Sequence, residues 1–131
     1  MATLEITNND TNGLVIWDPV FQDETLNAAG AVTWAAGTLL GRITASSKLT
    51  AYTSGATGGA GSDVAVAVLL DEVVFAGAGD APSRPIVGGR VRRGDLVAHG
   101  VGAITIPESE MLRDYGIVSL TTTQLAALDN Q

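Results

Sequence analysis

The chain has 131 residues, 46% hydrophobic and 16% charged, a balance that suits one compact domain and is too apolar for wholesale disorder. Sixteen glycines and four prolines fall short of low-complexity composition, and no apolar run reaches the roughly 18 residues of a membrane helix. With no cysteine and a single histidine, His99, the chain lacks the means for disulfides, thiolate chemistry and Cys-ligated or multi-His metal sites, and neither metal nor cofactor is expected. The net charge of −7 repels phosphate, which argues against nucleic acid and anionic membranes as partners.

The N-terminus has neither a basic segment nor an apolar signal core, so the protein is expected to be made and kept in the cytosol. Glu5, Asp10, Asp18, Asp23 and Glu24 fall in the first thirty residues with no base among them. That asymmetry and the polar run Thr7 to Gly13 separate an N-terminal arm, residues 1–30, from a β-rich domain, residues 31–131. Inside the arm the apolar island Leu14-Val15-Ile16-Trp17 reads as a short strand, ended by a turn at Asp18-Pro19-Val20-Phe21.

Beyond Ala31, short apolar runs broken by Gly, Ser, Thr and Pro predict strands at 31–34, 39–44, 48–52, 64–70, 72–75, 84–91, 96–98, 104–106 and 117–120. The run Val-Ala-Val-Ala-Val-Leu-Leu at 64–70 is expected at the centre, with its valines on one face and its alanines on the other. Ser109 is the expected cap of a short helix through Tyr115, with Leu112 and Tyr115 inward and Gly116 in the left-handed closing position. A second short helix is expected at 123–128. No repeat of 20–50 residues is present. The fold class is therefore mainly β (α+β).

Candidate chemistry is sparse. The glycine stretches Gly55 to Gly61 and Gly77-Ala78-Gly79-Asp80 lack the Gly-Lys-Ser/Thr of a phosphate loop and read as flexible connectors. Ser47 and Lys48 are adjacent, so on a strand they point to opposite faces, and Ala45-Ser46-Ser47 reads as a hairpin tip. Nothing in the spacing brings His99 to Asp95, Asp114 or Ser109. No catalytic residue is assigned. The basic cluster Arg90-Val91-Arg92-Arg93 places Arg90 and Arg92 on one face and turns Arg93 away; it is either a partner interface or paired with Asp71, Glu72 or Asp95. Arg93-Gly94-Asp95 reads as a turn.

The order of several pieces resembles the phage head decoration proteins related to the lambda D protein. Those pieces are Asp18-Pro19-Val20, Ala28-Ala29-Gly30, Gly37-Thr38-Leu39-Leu40-Gly41-Arg42-Ile43-Thr44 and Lys48-Leu49-Thr50-Ala51-Tyr52. After a glycine stretch come Gly61-Ser62-Asp63, the apolar run 64–70, Arg90 to Gly94, and Leu112-Arg113-Asp114-Tyr115-Gly116-Ile117. The chain departs at Ala35-Ala36, where similar proteins often carry a base, and in its acidic extension before Asp18. The resemblance implies a small β-barrel or tulip-like body with one short C-terminal helix and an extended N-terminal arm. It implies a homotrimer bound to the major capsid protein on the outside of an expanded capsid, at local threefold sites, stabilising the shell against internal DNA pressure. Virion surface, and host cytoplasm during assembly, are the implied locations. From the residues themselves, the apolar island and its neighbours, Leu14, Val15, Ile16, Trp17, Pro19 and Phe21, are either the candidate capsid-binding strand or an ordinary edge strand packed on the body, with Arg90, Arg92 and Arg93 as a further interface. The competing readings are a carbohydrate- or receptor-binding β module of a tail or fibre, and a small Ser/His hydrolase.

Overall fold

Short apolar runs form the strands here because each supplies one or two side chains to a core and ends at a glycine, proline or polar turn. The structure is a computed structural model and describes residues 15–53 and 62–121. In chain order these form β1 (Val15–Phe21), β2 (Glu24–Ala28), β3 (Val32–Trp34), β4 (Leu39–Arg42), β5 (Leu49–Ala51), β6 (Ala65–Val68) and β7 (Val73–Phe75). There follow β8 (Gly79–Ser83), β9 (Ile86–Arg92), β10 (Val97–Ala98), β11 (Gly102–Ala103), the helix α1 (Ile106–Asp114) and β12 (Ile117–Leu120). The main sheet runs β1-β9-β6-β4-β5-β2-β8, with β12 lying parallel against β9, and it curls into a half-barrel. The pairs β3–β7 and β10–β11 are separate two-stranded ribbons.

The middle of this sheet is covered on both faces, so neighbouring residues of one strand feed different cores. Leu39 joins Tyr52, Val68, Ile86, Val91, Leu96, Leu112 and Ile117 in one cluster. Leu40 joins Leu26, Trp34, Leu49, Ala67, Leu69 and Phe75 in the other. The β3–β7 ribbon belongs to the second cluster, where the Trp34 and Phe75 rings meet edge to face at 5.0 Å.

The run at 64–70 does sit inside the sheet, but its faces are not those that strict alternation predicts. Leu40 pairs with Ala67 and Gly41 with Ala65, which leaves Val66 as the extra residue of a β-bulge. The bulge shifts the alternation, so Ala65 and Val68 share the first cluster while Ala67 enters the second.

Three strands were illegible as apolar runs. Glu24–Ala28 has only Leu26 as a large apolar residue, and Gly79–Ser83 begins in a stretch that reads as a connector; the two pair antiparallel from Glu24↔Ser83 to Ala28↔Gly79. The third, Gly102–Ala103, closes a hairpin on Val97–Ala98 through His99-Gly100-Val101. The strand expected at 104–106 is absent, because Thr105 caps α1 and Ile106 is its first residue. The Glu108 carboxylate accepts from the Thr105 backbone N–H at 2.8 Å, half of the Thr-x-x-Glu capping box, and Pro107 sits in the first turn where its missing N–H costs nothing. Ser109 is therefore not the cap; its hydroxyl donates to the Ile106 carbonyl at 2.7 Å. Leu112 is fully buried as expected. Tyr115 is 53% exposed instead of inward, because it is the C-cap and its backbone has left the helix. Gly116 takes φ +92°, the left-handed closure expected of it.

The boundary expected near residue 30 falls between β2 and β3, yet β1 and β2 are strands of the main sheet and Leu26 and Ala28 are core residues. Residues 15–28 are thus paired with the body instead of extending from it. The turn expected at 18–21 is also sheet: β1 continues to Phe21, with its register slipping between Trp17↔Arg90 and Val20↔Gly88 around Asp18-Pro19. Leu14, the glycine stretch 55–61 and the helix expected at 123–128 lie outside the described residues.

Candidate docking surface

β1 and β8 are the two ends of the main sheet, so each has one flank unpaired among the described residues. Each carries a proline, Pro19 in β1 and Pro82 in β8, the residue type that sheets tolerate at an edge. The β8 flank is tied down by side chains. Lys48 and the Asn27 amide both donate to Asp80 and hold its carboxyl below the ordinary aspartate range. On β2, one strand inward, both Glu24 oxygens accept from the Arg42 guanidinium of β4, at 3.1 and 2.9 Å, and Arg42 also donates to the Ser47 carbonyl at 2.7 Å. That pairing draws the Glu24 carboxyl below its ordinary value and the Arg42 guanidinium above its own.

At the β1 flank the structure brings together two groups that the sequence holds far apart. Val15 lies opposite Val91, Trp17 opposite Arg90 and Phe21 opposite Ile86, so the candidate strand runs alongside the basic cluster. On the other side of β9, Val118 is opposite Arg90 and Leu120 opposite Arg92. Pro19, Val20 and Phe21 are exposed at the end of β1.

The three arginines divide as the strand period predicts. Arg90 and Arg92 are both exposed, with the buried Val91 between them facing inward. Arg93 starts a 3₁₀ turn, Arg93–Asp95, and reaches back to β12, donating from Nε to the Ser119 hydroxyl at 3.1 Å. None of the ion pairs among the described residues joins these arginines to Asp71, Glu72 or Asp95.

The residues considered for catalysis stand in other settings. Ser47 is at the tip of the β4–β5 hairpin with φ +64°, as the hairpin reading requires, and Lys48 is paired with Asp80. His99 is exposed in the β10–β11 turn, and the Ser109 hydroxyl is spent on a backbone carbonyl. A glycan-binding module displays exposed aromatic platforms, whereas Trp34, Tyr52 and Phe75 are buried here and only Tyr115 of the body's described aromatics is exposed.

The sequence profile of the bacteriophage lambda head decoration protein D family matches residues 3–105. The chain belongs to that family. It is a structural protein of the phage head, located at the capsid surface. The match stops at Thr105, the cap of α1, so the family resemblance of the Leu112 to Ile117 segment rests on the residues themselves. A search of curated proteins gave no match.

Among the described residues no helix is long and apolar enough to cross a membrane and no cluster of His, Asp or Glu is grouped as a metal site. The glycines at either end of Gly37-Thr38-Leu39-Leu40-Gly41 acquire a reason in the structure. Gly37 has φ +92°, and a Cβ there would lie 2.0 Å from the Asp95 carbonyl oxygen; one on Gly41 would lie 2.8 Å from the Ser62 backbone. The motif marks two places where the backbone of another segment crosses β4 or its approach.

Proposed function

We propose that this decoration protein binds as a homotrimer to the outside of the expanded capsid at local threefold sites, contacts the major capsid protein, and stabilises the shell against the pressure of packaged DNA. Assembly takes place in the host cytoplasm. The supporting observation is the open flank of β1 in a chain that belongs to the head decoration family. An open strand offers backbone donors and acceptors to a strand of the capsid subunit, and Leu14, Val15, Ile16 and Trp17 supply the apolar side chains for its pockets, with Pro19 and Phe21 at the far end. Arg90 and Arg92 form the second part of this contact on the adjoining strand, and Arg93 holds the turn that follows to β12. No catalytic step enters the proposal.

Repetition makes modest contacts sufficient: a trimer that engages three equivalent sites gains avidity that one arm lacks. Binding of the protein to decoration-free expanded capsids, followed by co-sedimentation, tests the reading. Trp17→Ala is expected to weaken binding, since burying a large side chain is worth about 1.5–3 kcal/mol. Capsids that sediment without the wild-type protein would overturn the reading, and unchanged affinity in Trp17→Ala would remove the strand from it.

A further inference from the structure

All seven Lys and Arg residues of the chain lie among the described residues, and their partners sort them. Arg42 is bound to Glu24, Lys48 to Asp80, Arg84 to Asp23 and Arg113 to Glu110. Arg93 is held by Ser119, and Arg92 has an interaction of its own. The Arg90 side chain alone has neither an ion pair nor a hydrogen bond among the described residues, in a chain with fourteen acids. It is exposed, and it stands on the one strand flanked by β1 on one side and β12 on the other.

We infer that Arg90 is the charged anchor of the docking surface and that it takes a carboxylate of the capsid subunit, with Arg92 alongside on the same face. The inference rests on the docking reading above and names the chemistry of its partner. The argument is one of complementarity. A polyanion such as DNA would meet the whole −7 charge of the protein, whereas a carboxylate in a docked interface meets the local field of two arginines. At physiological salt the screening length is about 8 Å, so acids elsewhere on the molecule do not cancel a contact made at Arg90. The planar guanidinium matches a carboxylate with two parallel hydrogen bonds, which fixes orientation as well as charge. Position adds to this: Trp17 is opposite Arg90 in register, so a capsid strand added to β1 has only β1 between it and the guanidinium's own strand. Arg93 has a different part. Its head is committed to Ser119, so it is a positioning residue that joins the 3₁₀ turn to β12.

The test is co-sedimentation of the full chain with decoration-free expanded capsids over a range of sodium chloride concentrations, using wild type, Arg90→Glu, Arg90→Lys and Arg93→Ala. Wild-type affinity is expected to fall as salt rises. Arg90→Glu is expected to lose about tenfold or more at low salt and to flatten the salt dependence. Arg90→Lys keeps the slope while losing part of the affinity, and Arg93→Ala lowers the melting temperature and leaves the slope intact. If Arg90→Glu does not fold, Arg90→Gln carries the same measurement. Wild type that binds with no salt dependence, or Arg90→Glu that binds like wild type, overturns the inference and leaves the docking reading standing. Wild type that fails to bind capsids overturns both.

Discussion

Three glycines make a graded series, because the structure separates steric overlap from backbone strain. At Gly37 both operate: φ is +92° and an added Cβ lies 2.0 Å from a backbone oxygen, at a residue whose own N–H and C=O are bonded to Leu69 and Val97. Gly37→Ala is expected to cost more than about 2 kcal/mol. Gly116 has the same φ with open space around it, so Gly116→Ala is expected to cost about 1 kcal/mol and Gly116→Val somewhat more. Gly30 has neither constraint, and Gly30→Ala should be nearly silent. Denaturant midpoints of the variants give the order. The left-handed role of Gly116 was legible from its place after a helix, whereas that of Gly37 was not, since its partner Asp95 is brought there only by the fold. At Glu24 the prediction concerns pH. Its folded carboxyl is drawn down from the ordinary 4.5 by Arg42, so the stabilisation is full above 4.5 and is lost as the pH falls through the lowered value. Glu24→Gln is expected to destabilise by about 1 kcal/mol at neutral pH, a modest figure because the Arg42 side chain is 41% exposed, and the difference from wild type should close in acid.

At the scale of the element, α1 shows how one residue type can conceal another's role. Thr105-Ile106-Pro107-Glu108 is a capping sequence, but Ile104 and Ile106 also read as an apolar strand, and the strand reading hides the cap. Burial decides in favour of the helix, since Glu108, Ser109 and Leu112 are its inward residues. Thr105→Ala or Glu108→Ala is expected to cost about 1 kcal/mol, while Ser109→Ala should cost less, and thermal melts of the three distinguish this cap from one at Ser109. From β3 onward the strands with clear apolar runs were found to within one or two residues, while β1 runs four residues past its expected end; β2 and β8 were not found, because β2 holds its place through Leu26 and Ala28 alone and β8, at the end of the sheet, needs few apolar residues to stay there. Of the docking surface, both components were visible in the sequence as an apolar island and a basic cluster. Their adjacency was not, because it depends on β1 pairing with β9 across most of the chain.

For the whole molecule, the placement of β2 changes where the chain can be cut. Removing residues 1–30 takes away Leu26 and Ala28 and two strands of the main sheet, so that deletion is expected to unfold the protein. A deletion of residues 1–14 leaves every described strand in place and is expected to leave the protein folded, with a cooperative thermal melt. Light scattering on both the full and the shortened chain measures the proposed trimer; a stable dimer would contradict it, since a two-fold assembly cannot match a local threefold site.

β9 is bonded on one flank to β1, the first strand of the described chain, and on the other to β12, the last. A ribosome delivers these three in the order flank, middle, flank. β1 must therefore wait through most of synthesis before its partner emerges, and β9 stays half-paired until Ile117–Leu120 has left the exit tunnel. The flank of β9 thus closes late and over long sequence separations, where folding is slow. A chain whose synthesis has not passed Leu120 therefore lacks the completed flank of β9 from which Arg90 and Arg92 are presented.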